Sequence, residues 1–297
     1  MAAYDEMSLF QDNATEAGLA WHGPPTVERR SVSAPRGALS ALVWGTSPAE
    51  LVFIHGGAQN AHTWDTVILA MDRPAVAIDL PGHGHSDWWE DHSYDVPAMA
   101  DAVAVAIEAL APSAGLVVGM SLGGLTSICL AAAHPDLVRR LAVIDVTPGT
   151  DHAKAEPIIA FVNGPETFAT FDELLARTIE FNPTRTESSL RRGVLHNAHP
   201  QPDGTWVWNY DRTRSWRQAD GAGVPDFGDL WSAVDHVIAP MMLVRGALSG
   251  VVGDEDVVEL QRRQPACEVV VVDGAGHSIQ GDRPVELARI LDDFLRR

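Results

Sequence analysis

Five residues, Gly119-Met120-Ser121-Leu122-Gly123, constrain this chain more than any other stretch. The apolar run 115–119 leads into them and a helical pattern, 122–134, leads out. A strand that turns at once into a helix makes a bend too tight for side chains at its flanks, hence glycine at 119 and 123. Ser121 is then lifted to the carboxyl end of the strand, facing a helix N-terminus where developing negative charge is favoured. By average composition a chain this long holds a Gly-x-Ser-x-Gly about 0.1 times. In this setting the pattern is therefore read as a nucleophile elbow.

The surrounding chain alternates short β-branched runs with longer helical patterns. Strands are expected at 27–32, 39–44, 51–55, 75–79, 115–119, 141–146, 241–245 and 268–272. Several are continuous apolar runs, as in strands covered on both faces. Helices are expected at 96–110, 122–134, 254–263 and 284–297. This alternation argues for an α/β fold with a mostly parallel, eight-stranded sheet between two helical layers. No helix separates the first two strands, so that edge is expected to be an antiparallel hairpin. From 148 to 234 the rhythm breaks. The stretch holds helical patterns at 165–182 and 186–197 and a tryptophan-rich segment, 201–216, with no clear buried strand. It reads as a helical cap inserted into a core of 1–147 and 235–297. Trp206 and Trp208 are candidates for its substrate-facing wall, with Tyr210, Trp216 and Trp231 nearby and Trp64, Trp88 and Trp89 closer to the sheet.

Two further segments fit the elbow. His55-Gly56-Gly57 follows the run 51–54, and a glycine-lined loop there lets backbone N–H groups face a reacting carbonyl oxygen. The expected oxyanion hole pairs the amides of Gly57 and Leu122. Gly274-Ala275-Gly276-His277-Ser278 follows the last strand, where a histidine can reach Ser121, accept its proton and return it to the leaving group.

Together with Asp79-Leu80-Pro81-Gly82-His83-Gly84-His85-Ser86, these segments resemble the α/β-hydrolase superfamily from about residue 27 to 297. The resemblance is specific for fold and weak for substrate. It implies a serine hydrolase acting on a carboxylic ester or lactone of a small molecule, without a cofactor. The alternatives are a carbon–carbon bond hydrolase of the same fold and a non-catalytic small-molecule receptor. In this superfamily the acid of the triad commonly follows the strand here at 241–245. The loop departs from that pattern, because Gly250 stands where aspartate is common. Asp254 comes later and reads as a helix N-cap. Asp145, ending the strand 141–146, is the preferred acid, as in some superfamily members, with Asp254 the alternative.

His83-Gly84-His85-Ser86-Asp87 also spells the HxHxD of dinuclear metal hydrolases. Position 88 is tryptophan where that motif needs histidine, so no metal site is expected. The net charge of −19, from 21 Lys+Arg against 40 Asp+Glu, repels nucleic acid and anionic membranes. No apolar run approaches the ~18 residues of a membrane span, and no signal region opens the chain. A cytoplasmic protein is expected, its oligomeric state open and a homodimer admissible. Cys129 and Cys267 lie far apart and read as buried apolar thiols.

Overall fold

The computed structural model describes residues 4–150, 152–213 and 227–297. Eight strands form one sheet: β1 (Val27–Val32), β2 (Leu39–Trp44), β3 (Leu51–Ile54), β4 (Ala75–Ile78), β5 (Leu116–Met120), β6 (Leu141–Ile144), β10 (Met241–Gly246) and β11 (Glu268–Val272). Their order is β1-β2-β4-β3-β5-β6-β10-β11. β1 pairs antiparallel with β2, and β2 with β4; every other pairing is parallel. All eight expected strands and the hairpin edge are present, with ends displaced by a residue or two.

The apolar runs are continuous because the sheet is covered on both faces. Val52, Ile54, Val117, Leu141 and Val143 point to one core, with the helices α3 (Val96–Leu110) and α4 (Leu122–Ala133). Their neighbours Leu51, Phe53, Val118, Ala142 and Ile144 point to the other. That second layer contains α1 (Phe10–Glu16), α2 (Asp65–Met71) and the C-terminal helix Pro284–Leu295. Cys129 and Cys267 are buried, and burial pushes both thiols up to about 11. Among the described residues no helix is long and apolar enough to cross a membrane.

The chain runs from β3 outward to β4, then returns to place β5 on β3's other side, with Ile54 opposite Gly119. The carboxyl ends of β3 and β5 thus flank the point where strand order reverses, the usual crevice of an open α/β sheet. Between β6 and β10 lie α5 (His152–Val162), α6 (Phe171–Glu180), α7 (Glu187–Asn197) and a small antiparallel sheet, β7 (Thr167–Phe168), β8 (Ala198–Pro200) and β9 (Trp206–Trp208). The expected helix at 165–182 starts only at Phe171. Residues 167–168 pair with β9, and Thr170 caps the helix by accepting from the Glu173 amide at 3.1 Å. Phe171, Leu174, Leu190, Val194, Trp206 and Trp208 form a third apolar cluster here. Asn60 and Asn197 fasten it to the loop after β3 through His196 O at 2.9 Å and Ala58 O at 2.7 Å.

The N-terminal segment, α2 and α7 meet in a buried polar network. His62 bonds Asp65 Oδ2 through Nδ1 at 2.9 Å and Glu6 Oε2 through Nε2 at 3.2 Å, and its ring stacks on that of His196 with centroids 3.8 Å apart. Burial alone would lower the His62 pKa, but the Asp65 and Glu6 carboxylates outweigh it and lift it to about 9. Its hydrogen bond to His62 in turn holds Glu6 well below the usual carboxylate range, against the opposing effect of burial.

A histidine with a raised folded-state pKa stabilises fully below its unfolded value of about 6.5, and that contribution fades as pH rises through about 9. Its upper limit is about 3 kcal/mol. Denaturant unfolding at pH 6.5 and pH 9.5 should therefore show a loss of stability in the wild type that shrinks by about this amount in His62→Gln. Equal losses in both proteins would show that His62 is not charged in the native state.

Candidate active site

Ser121 sits between β5 and α4 at φ 51, ψ −121, a conformation that costs an L-residue about 1–3 kcal/mol. Surrounding contacts enforce it. The Ser121 amide donates to Ile144 O at 3.1 Å, continuing the ladder with β6, and Ser121 O accepts from Leu125. A Cβ at position 123 would stand 2.4 Å from the carbonyl oxygens of Ile54 and His55, and one at 119 would stand 2.2 Å from Ser127 Oγ. The two flanking glycines are therefore required by backbone crossing at the bend.

The loop after β3 is held by histidines. His55, fully buried, accepts from the Leu80 amide at 2.9 Å and donates Nδ1–H to Gly56 O at 2.7 Å. His83 accepts from the Ala58 amide at 3.1 Å and donates to Pro81 O at 3.0 Å. The loop lies against the elbow: a Cβ at 56 would meet Met120 Sδ at 2.5 Å and Ser121 Cβ at 3.2 Å, while one at 57 would meet only Leu122 carbons, at 3.8 Å and beyond. The Gly57 amide has no protein acceptor among the described residues. The Leu122 amide opens α4, in the turn whose N–H groups lack intrahelical partners.

His83 is thus occupied with the loop, Asp87 accepts from the Ala38 amide at 2.7 Å, and His85 faces Glu6, so the HxHxD residues do not converge. Among the described residues, the grouping with donor atoms close enough for a metal, within 4.8 Å, is instead His62, Asp65 and His196.

His277 follows β11 and donates Nδ1–H to Asp145 Oδ2 at 2.8 Å. Its Nε2 is buried and has no partner among the described residues. Asp145 ends β6 at φ 51, fully buried, and its carboxylate also accepts from the Gly246 amide at 3.0 Å and from Ser249 Oγ. Asp254 stands apart: its side chain is 95% exposed and paired with Arg245 at 2.9 Å. It is the first residue of its helix and not the N-cap, which is Gly253; Asp256 accepts from the Gly253 amide at 2.7 Å. Sequence reasoning missed Ser249. The loop was read for a carboxylate, and a hydroxyl beside a missing aspartate gives no signal until β6 and β10 are known to be neighbours.

A cavity of about 830 Å³ lies beside this cluster. Ala58 and Gln59 line it from the β3 loop, Ser278 and Gln280 from the histidine loop, and Trp208 and His196 from the inserted segment. Ser121 is not among its lining residues. Neither is Trp206, which packs edge-to-face on Phe171. Trp64 is buried in the core against Phe53, Trp88 is exposed, and Trp216 lies outside the described residues.

The alpha/beta hydrolase fold family matches residues 50–284. The chain belongs to this family. It is 45% identical to esterase Rv0045c of Mycobacterium tuberculosis over 99% of this chain and 97% of that one. A crystal structure of that esterase superposes with a TM-score of 0.86 over the whole of both chains, at 44% identity. A second relative, 2-(acetamidomethylene)succinate hydrolase of Mesorhizobium japonicum, is 29% identical over 90% of this chain and 94% of its own. The structure of an E-2-(acetamidomethylene)succinate hydrolase gives a TM-score of 0.79 at 26% identity, covering 92% of this chain and all of the other.

The two loop glycines should separate by variant. Gly123→Ala places a methyl against backbone that cannot yield and should destabilise by about 3 kcal/mol in denaturant unfolding. Gly57→Ala has room and should change stability by less than about 1 kcal/mol. Equal effects would contradict the packing at the elbow.

Proposed function

We propose that this chain is a serine hydrolase that cleaves a carboxylic ester, or a close relative such as a lactone, of a small molecule through an acyl-enzyme. The observation that carries this reading is the Asp145–His277 hydrogen bond, which leaves the buried Nε2 of His277 as the ring nitrogen without a partner among the described residues. The elbow serine and the identity to a named esterase support it.

In this reading Nε2 of His277 takes the Ser121 hydroxyl proton as Oγ attacks the carbonyl carbon. Negative charge moves to the carbonyl oxygen, which the Gly57 and Leu122 amides receive. As the tetrahedral species collapses, His277 returns the proton to the leaving alcohol, and the acyl group stays on Ser121. Water then repeats the sequence: His277 takes its proton, hydroxyl adds to the acyl carbon, and Ser121 leaves with the proton restored. Asp145 fixes the ring and stabilises the imidazolium, while Gly246 and Ser249 hold its carboxylate in place. Residues 148–234 act as a cap that shapes the substrate cavity, supported by Trp208 and His196 on the cavity wall and by the segment's own apolar cluster.

Hydrolysis of p-nitrophenyl butyrate tests this directly. Ser121→Ala should lose turnover while keeping the wild-type melting temperature within a few degrees. Asp145→Asn should fold and lose about 10⁴-fold in kcat. Asp254→Asn should keep most activity, since it breaks only an exposed ion pair. Full activity in Ser121→Ala would refute the assignment, and a reversed pattern for the two aspartates would move the acid.

A further inference from the structure

The cavity wall holds a cation that, among the described residues, no carboxylate contacts directly. Arg185 lies in the turn between α6 and α7 and lines the cavity. Its Nη2 donates to Ser189 Oγ at 2.6 Å, while its Nε is buried without an acceptor. Among the described residues it takes part in no ion pair. Arg192 lines the same cavity with every donor nitrogen engaged: Nε with Asn13, Nη1 with Ser188 and Nη2 with Glu16. Arg29, also half-buried, is paired with both Glu6 and Asp79.

This chain carries 40 acidic residues against 21 basic ones, so acid to neutralise Arg185 is plentiful. Asp282 and Glu16 attract Arg185 through space without forming an ion pair with it. Asp282 accepts from Thr184 Oγ1 at 2.8 Å and from the Gly276 amide at 2.7 Å. It ties the turn that carries Arg185 to the residue immediately before His277. A partly desolvated charge without an ion-pair partner is unfavourable. Burial also lowers the pKa of Arg185 from the usual guanidinium value. Gly281 packs so closely on the guanidinium that a Cβ there would lie 2.8 Å from Nε, which fixes the group against the wall.

We propose that Arg185 receives a carboxylate carried by the ligand of this cavity, so that the substrates are small esters bearing a free carboxylate. This rests on the ester-hydrolase reading for the word substrate, and on the cavity alone for the carboxylate. One planar guanidinium offers a fork that matches a carboxylate in two parallel hydrogen bonds. Around it stand the neutral Asn182, Thr184, Thr186 and Ser189, while the carboxylates Glu16 and Asp282 on the same wall are hydrogen-bonded, the first to Arg192 and Thr186 and the second to Thr184 and Gly276.

Two measurements test it. Calorimetry with glutarate as the probe should detect binding to the wild type, weaker binding to Arg185→Lys, and affinity reduced by about 10- to 100-fold in Arg185→Gln. In steady-state kinetics, the ratio of kcat/KM for p-nitrophenyl hemiglutarate to that for p-nitrophenyl butyrate should fall by a similar factor in Arg185→Gln, mainly through KM. Arg185→Gln should melt no lower than the wild type, because it removes a charge without an ion-pair partner. A purely structural arginine would instead lower the melting temperature and leave the substrate ratio unchanged, and that result overturns the proposal. So does glutarate binding that survives in Arg185→Gln, or no glutarate binding to the wild type. Failure of the wild type to hydrolyse either ester would strike at the hydrolase reading, while calorimetry would still report on Arg185.

Discussion

The carboxylate of Asp145 is the point on which the site depends. It is fully buried, and burying an ionised group is tolerable only when its oxygens are hydrogen-bonded. Three donors meet it from three places: the Gly246 amide at the end of β10, the Ser249 hydroxyl in the next loop, and Nδ1 of His277 beyond β11. One residue at the end of β6 thereby fixes the loops that follow β10 and β11. The histidine ring is left with one face of its chemistry, Nε2, uncommitted. The same loops are stitched together by the amides of Ala247 and Leu248, which donate to Val272 O and Ala275 O. A Cβ at position 246 would stand 2.2 Å from Gly276 O, so the two loops touch at backbone level.

Strain gathers at the same edge of the sheet. Ser121 and Asp145 follow adjacent parallel strands and share φ 51, and Ala58, just past the glycine pair, has φ 61. Non-glycine residues persist in that region only when their surroundings over-determine them, and such residues cluster at functional sites. Here the surroundings are identifiable. The Ser121 and Asp145 amides stay in the ladder, bonded to Ile144 O and Val244 O, while His83 holds Ala58. The core beneath stabilises the fold, and the carboxyl ends of the strands hold the residues whose conformations are unfavourable in isolation.

Much of this was legible in the sequence. Several of the eight strands stood out as continuous apolar runs because a sheet covered on both sides leaves no polar face to interrupt them. The elbow, the His55 loop and the His277 loop stood out because tight turns demand glycine. Asp145 is preferred over Asp254 because it ends an apolar strand, Gly250 carries no carboxylate and Asp254 reads as a helix cap, and its carboxylate is the one in contact with His277. Other features were not legible. The helices α1 and α2 are short and flanked by polar residues, so their apolar stripe is too brief to register. Ser249 and Arg185 matter through what they touch, or fail to touch, across 100 or so residues of chain, and no local pattern carries that. His83 and His85 spell part of a metal motif that Trp88 interrupts; one holds a loop amide and the other faces Glu6.

The most direct test of the site is a crystal structure after reaction with a fluorophosphonate that carries a small alkyl ester. The geometry predicts phosphorus bonded to Ser121 Oγ, the phosphonyl oxygen within hydrogen-bond distance of the Gly57 and Leu122 amides, and His277 Nδ1 still on Asp145. Phosphorus on another residue, or a His277 ring turned from Asp145 toward a different acid, would contradict it.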